Sequence, residues 1–174
     1  MKRITEKQAI ELLKKHSSSK KVFEKILNHS LTVKKIALRV ANNYSDINLY
    51  QIKIGSLLHD IGRFFCFSEK NKIKHGLVGA EILRKEGLLD IALITERHIG
   101  VGITREDIIK QKLDLPKKDF LPISKEEKII AYADNLAFDK KEKTIQDVMK
   151  RFKKELGDEY VERILKLKKE IENF

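Results

Sequence analysis

His59 and Asp60 stand side by side in Gly55-Ser-Leu-Leu-His-Asp-Ile-Gly62, and His29, His75, His98 and Asp134 lie on either side of them in the chain. Imidazole nitrogens and carboxylate oxygens together are ligands of divalent first-row transition metals. Four of the five histidines fall in this set. A carboxylate has two oxygens and can bridge two cations, and Asp60 is central among the six. His29, His59, Asp60 and Asp134 could hold one ion. Asp60, His75 and His98 could hold a second, leaving positions for water and substrate. Two ions about 3.5–4 Å apart acidify a shared water and bind phosphate oxygens. The chemistry this spacing suggests is attack of hydroxide on phosphorus, with Asp60 bridging the ions and orienting the nucleophile. Mixed imidazole and carboxylate ligands suit Mn, Fe, Ni or Co, with Zn or Mg also admitted.

Each residue has a plainer reading when taken alone. His29 could be a helix-edge histidine. His75 could open a helix, and His98 could close one where the helix dipole favours it. Asp134 lies in Ile129-Ile-Ala-Tyr-Ala-Asp-Asn-Leu-Ala-Phe138, an apolar run in which a carboxylate is costly unless paired or metal-bound. Three cations are candidates to meet a phosphate: Arg63 after the His-Asp pair, Lys128 at the start of the Asp134 segment, and Arg105 beside a glycine-rich turn. Arg63 could equally form a surface ion pair. His16 reads as exposed.

The elements that must position these side chains are helices. Thr5 with Gln8 forms a capping box for a first helix running to about residue 15. Ser17-Ser-Ser19 recaps the chain. Val22, Ile26, Val33, Ile36, Ala37 and Val40 then mark a long amphipathic helix over about 19–42, with His29 near its apolar stripe. A helix started by Asp46 or Asn48 ends near His59-Asp60, where Gly62 is expected to stop it. Adjacent helical side chains point about 100° apart, so this ending is what would let His59 and Asp60 share an ion. Helices follow over about 75–87, over 88–98, and after Thr104. A loop containing Pro116 and Pro122 precedes a capping box, Ser124 with Glu127, and the helix carrying Asp134. Two further helices cover about 144–156 and 158–172, separated by Gly157. Period-two alternation is scarce. The expectation is an all-α bundle with ligands converging at its centre, one domain over residues 1–174 with a core at about 20–140.

The chain of 174 residues carries a formal net charge of +11. Residues 1–40 hold eleven Lys/Arg against three Glu, a surplus of eight. Such a segment could steer a nucleotide or RNA, or be a solvated helix face. No apolar run approaches the ~20 residues of a membrane span, and the N-terminus has no signal-like apolar stretch. The single cysteine, Cys66, reads as a small buried hydrophobe, and a reducing cytoplasm is the expected location.

At His59-Asp60-Ile-Gly62 the sequence resembles the HD superfamily of metal-dependent phosphohydrolases, in its HDIG form. The resemblance covers roughly residues 20–140 and rests on the ordered set His, His-Asp, His, His, Asp. It implies an all-helical fold and hydrolysis of phosphate esters, commonly of nucleotides. By position, His29, His59, Asp60 and Asp134 match the shared metal ligands, and His75 and His98 match the extra histidines of two-metal branches. Lys74-His-Gly-Leu-Val-Gly-Ala80 with Lys128-Ile-Ile-Ala-Tyr-Ala-Asp134 is similar to a bacterial branch that splits diadenosine tetraphosphate symmetrically. The segment from His98 to Asn135 looks closer to archaeal HDIG proteins. The single His at Glu96-Arg-His98, with no Gly-Tyr-Pro after it, departs from the cyclic-dinucleotide branch. The 103–124 insertion departs from the diadenosine-polyphosphate branch. The expected activity is therefore a metal-dependent phosphohydrolase or phosphodiesterase. The alternative is a non-enzymatic RNA- or nucleotide-binding module with a structural metal.

Overall fold

A computed structural model describes residues 2–66, 68 and 71–174. Among them nine α-helices and one two-residue-per-strand hairpin form an all-α bundle. Helix α1 (Glu6–His16) is capped by Thr5 and Gln8 as expected, and it buries Ala9 and Leu13. Helix α2 (Lys20–Ala41) is capped by Ser19 and turns Ile26, Ser30, Val33, Ile36, Ala37 and Ala41 inward. Helix α3 (Leu49–Leu58) starts at Asn48, whose side chain accepts the Gln51 N–H, so Asn48 rather than Asp46 is the cap. Ile52, Ile54, Leu57 and Leu58 are all buried, and α3 packs against both α1 and α2. Every residue from Ile54 to Leu58 is buried, so the C-terminal half of α3 runs through the centre of the bundle.

After α3 the chain makes a 3₁₀ turn over Ile61–Phe64 and another over Lys72–Lys74, then enters α4 (His75–Lys85). Helix α4 ends in a Schellman closure: Leu88 N–H donates to Leu83 O at 2.9 Å and Gly87 N–H to Arg84 O at 3.0 Å, with Gly87 at φ +76°. Helix α5 (Leu89–Arg97) packs against α3 and α4, and α7 (Lys125–Leu136) packs against α2, α3 and α5. Helices α8 (Ile145–Glu155) and α9 (Asp158–Glu172) close the bundle and bury Val148, Phe152, Ile164, Leu167 and Ile171.

Three expectations differ from the structure. Gly62 does not stop α3 through a left-handed backbone, since it is absent from the positive-φ glycines. Its role is close approach: a Cβ there would lie 2.0 Å from His75 O and 2.6 Å from Gly79 N, so the first turn of α4 rests on its backbone. The 103–124 segment carries the helix expected after Thr104 and adds structure that the sequence does not display. It holds α6 (Arg105–Lys110), pairs Ile103 with Phe120, and has a small core of Ile103, Ile108 and Phe120. Ser124 accepts the Glu127 N–H, but Glu127 does not complete a capping box. Its carboxylate takes Arg97 at 3.0 and 3.2 Å and the Ile123 N–H at 2.6 Å. His16 is half-buried, edge-on to Phe65 at 5.8 Å between ring centroids. The hairpin, β1 (Ala137–Phe138) with β2 (Lys141–Glu142), was not anticipated.

Candidate metal centre

The six predicted side chains converge. His29 comes from the middle of α2 and Asp134 from the last turns of α7. His59 caps the C-terminus of α3, and Asp60 begins the first 3₁₀ turn. His75 is the first residue of α4, and His98 caps the C-terminus of α5. Four of the six thus sit at helix ends. Between His59 (φ −53°, ψ −34°) and Asp60 (φ −101°, ψ 11°) the backbone leaves helical geometry. That change brings two adjacent side chains to one point, with His59 Nε2 3.7 Å from Asp60 Oδ2.

The Asp60 carboxylate divides the cluster. Oδ2 faces His29 Nε2 at 3.6 Å and His59 Nε2 at 3.7 Å, while Oδ1 faces His75 Nε2 at 3.2 Å and His98 Nε2 at 3.4 Å. Asp134 Oδ1 closes the first half, 2.8 Å from His29 Nε2 and 3.5 Å from His59 Nε2. In the second half, His75 Nε2 and His98 Nε2 are 3.1 Å apart.

Three histidines are oriented the same way. Nδ1 of His59, His75 and His98 lies 2.8, 2.6 and 2.7 Å from the backbone oxygen three residues earlier, of Ser56, Lys72 and Thr95. A neutral imidazole that donates Nδ1–H to a carbonyl keeps its lone pair on Nε2. Burial favours that neutral form in His98, whose pKa is pushed down to about 4. Burial opposes ionisation of Asp60, yet the charges of His59 and Arg63 outweigh it and hold Asp60 well below the ordinary carboxylate range. Burial likewise opposes ionisation of Asp134, and His29 and His59 reverse it. His59 is raised, its burial being overcome by the two carboxylates.

The centre gathers four imidazole Nε2 atoms, each within 4 Å of an oxygen of Asp60 or Asp134. His59 Nε2 and Asp60 Oδ1 are buried with no hydrogen-bond partner. Acceptors facing acceptors in a low-dielectric site repel unless positive charge lies among them. The donor set fits divalent transition-metal ions, and two groups, His29–His59–Asp134 and His59–Asp60–His98, are close enough to ligate one.

Of the proposed phosphate cations, Arg63 is at the cluster. Its Nε is 2.5 Å from Asp60 Oδ2, and its side chain is 45% exposed. Lys128 is not brought there: its ammonium pairs with Glu170 of α9 at 3.0 Å. Arg105 is exposed on α6, its backbone N–H bound to Asp119 at 2.7 Å, and no contact joins it to the cluster among the described residues. The sequence reading missed Asn135. Its Nδ2 donates to Gly100 O at 2.6 Å and its Oδ1 accepts from Arg151 at 3.1 Å. The available signal was a second polar residue in the apolar run beside Asp134.

An uncharacterized protein of Methanocaldococcus jannaschii is 46% identical over 86% of this chain and 89% of its own length. Proteins named tRNA (cytidine(56)-2'-O)-methyltransferase from Thermoplasma volcanium and Picrophilus torridus are each 39% identical, over 94% and 95% of this chain. The chain spans 46% of the length of each. No solved structure matches. The family model described as HD domain matches residues 26–139, a span that encloses all six converging side chains. By that match and by the position of its His-Asp pair at the centre of the bundle, the chain belongs to the HD domain family.

Proposed function

We propose that this protein is a metal-dependent phosphohydrolase acting on a nucleotide or a related phosphate ester. The observation that carries the reading is the division of the cluster by Asp60, one carboxylate oxygen toward each group of imidazoles. His29, His59, Asp60 and Asp134 would hold one divalent ion, and Asp60, His75 and His98 a second. Such ions supply an acidified water and a polarised phosphate. The rest is done by the chain. The side chains of His29 and Asp134 are 19% and 14% exposed, against 2% or less for His59, Asp60 and His98, so substrate enters at the His29–Asp134 edge. Arg63 stands at the half-exposed side of Asp60 with Nε committed to that carboxylate, which leaves its terminal nitrogens for a phosphate oxygen. The buried walls around His75 and His98 exclude bulk water and strengthen these interactions.

The test is a hydrolysis screen of Mn²⁺-loaded protein against bis(p-nitrophenyl) phosphate and a nucleotide panel, beside Asp60→Asn. Turnover that disappears in the variant and on chelation is expected. Absence of turnover with every substrate, together with absence of bound metal, overturns the reading.

A second reading has its own support. The relatives named as tRNA methyltransferases share nearly the whole of this chain, and its first forty residues are strongly basic. The HD unit would then bind RNA, with metal in a structural role. Salt-sensitive RNA binding without turnover under any metal would favour it.

A further inference from the structure

The C-terminal helices lie beyond the segment matched by the family, yet one of their side chains bonds the residue next to Asp134 of the candidate metal centre. Asn135 follows Asp134 on α7 and is 6% exposed. Its Nδ2 donates to Ala131 O at 2.9 Å within its own helix and to Gly100 O at 2.6 Å across to the turn after α5. Its Oδ1 accepts from Arg151 Nη2 of α8 at 3.1 Å. The guanidinium selects the amide orientation, because the flipped amide would set its oxygen against two carbonyls and its NH₂ against a cation. Gly100 is two residues past His98. One amide thus ties the backbone that carries His98 to the helix that carries Asp134. A second tie holds the other side of His98, where Arg97 meets the buried Glu127 of α7.

We propose that Asn135, oriented by Arg151, is a positioning residue that sets the separation between the Asp134 half and the His98 half of the cluster. This rests on the reading of the cluster as a metal site. The amide is suited to the task because it grips main chain on one side and a fixed charge on the other. An apolar residue of the same size would fill the volume and let the α5 end drift. Sites held too loosely by their supporting contacts lose affinity for the ion.

The test is Mn²⁺ titration of the full chain, with bound and free ion separated by electron paramagnetic resonance and folding followed by circular dichroism. Asn135→Leu keeps the bulk and removes the grip, and Mn²⁺ affinity is expected to fall roughly 10–100-fold. Arg151→Met, on a half-exposed helix face, is expected to fall in the same direction by less, and Arg151→Lys to recover most of it. Arg163→Met is the control, since it breaks a buried ion pair with Asp107 away from the cluster. Wild-type affinity in folded Asn135→Leu and Arg151→Met overturns the proposal. So does an equal loss of affinity in Arg163→Met at equal loss of thermal stability. Should wild-type protein bind no Mn²⁺, the metal reading itself falls and this proposal falls with it.

Discussion

At the scale of single residues, the cluster combines anchors that are local with a centre that is not. Each of His59, His75 and His98 uses the carbonyl three residues back, an interaction available at any helix end. What helix ends cannot supply is a partner for the Nε2 atoms: with both Nδ1 atoms on carbonyls, His75 Nε2 and His98 Nε2 face each other at 3.1 Å. Metal binding and folding should therefore be coupled. Mn²⁺ at 100 times its dissociation constant is expected to stabilise the protein by about 2.7 kcal/mol, read as a rise in Tm that chelation reverses. Asp60→Asn should abolish that rise, because the bridge loses its charge. An unchanged Tm across a millimolar metal titration of wild-type protein would remove the coupling. The six residues were legible because only a few side-chain types carry this chemistry. Asn135 was not, since an amide has no titratable signature and its two long-range partners lie 35 and 16 residues away.

At the scale of elements, short-range signals read well and tertiary ones did not. Thr5–Gln8, Ser19 and Thr104–Asp107 cap their helices with the spacing the sequence displays. Glu127 has the capping spacing too, but the half-buried Arg97 guanidinium and the Ile123 N–H hold its carboxylate instead. The hairpin at 137–142 has strands too short for any alternation to show. Gly62 is the sharpest case. It was expected to end a helix, whereas its backbone is the surface on which α4 sits. Gly62→Ala should force His75 and α4 outward, at a cost of about 1–3 kcal/mol for overpacking. The His75–His98 half should suffer most, so the variant is expected to bind less Mn²⁺ than wild type even where it remains folded. A Gly62→Ala protein with unchanged Tm and unchanged Mn²⁺ stoichiometry would show that the contact gives way freely.

The 103–124 insertion is an element with its own anchor. Asp107 is buried and holds Arg163 of α9 at 2.6 Å and the Tyr160 hydroxyl at 2.9 Å. Burial opposes its ionisation, but the Arg163 hydrogen bond and those from Thr104 bring its pKa down to about 2. A depressed carboxylate contributes stability that is present above its unfolded value near 3.9 and is lost as pH falls through the folded value. Asp107→Asn is expected to be less stable than wild type at pH 7, by on the order of 2 kcal/mol. That gap should close between about pH 4 and pH 2, as chemical denaturation at stepped pH would read. A gap that stays constant over the window would mean that the carboxylate's charge is not what ties the insertion to α9.

At the scale of the whole molecule, charge is unevenly placed along the chain. No helix among the described residues is long and apolar enough to cross a membrane. Most of the basic surplus of residues 1–40 lies on α2, which holds six Lys/Arg against one Glu. Lys21 and Lys25 are exposed, have no ion pair among the described residues, and lie eight and four residues before His29 on α2. Both stand on the solvent side of the helix that carries His29, through whose edge substrate enters under the proposed function. This placement separates the two functional readings. An electrostatic contact to a single-stranded RNA releases about 0.7 counterion per phosphate neutralised. Lys21→Ala with Lys25→Ala should then flatten the slope of log affinity against log salt by about 1.4, measured with a labelled RNA strand. Hydrolysis of bis(p-nitrophenyl) phosphate, too small to reach either lysine, should be left unchanged. A flattened slope with turnover of the strand makes RNA a substrate, whereas a flattened slope without turnover makes the protein an RNA-binding module. An unaltered slope would mean that this face of α2 is only solvated, and that the phosphate ester is small enough to be held by the cluster and Arg63 alone.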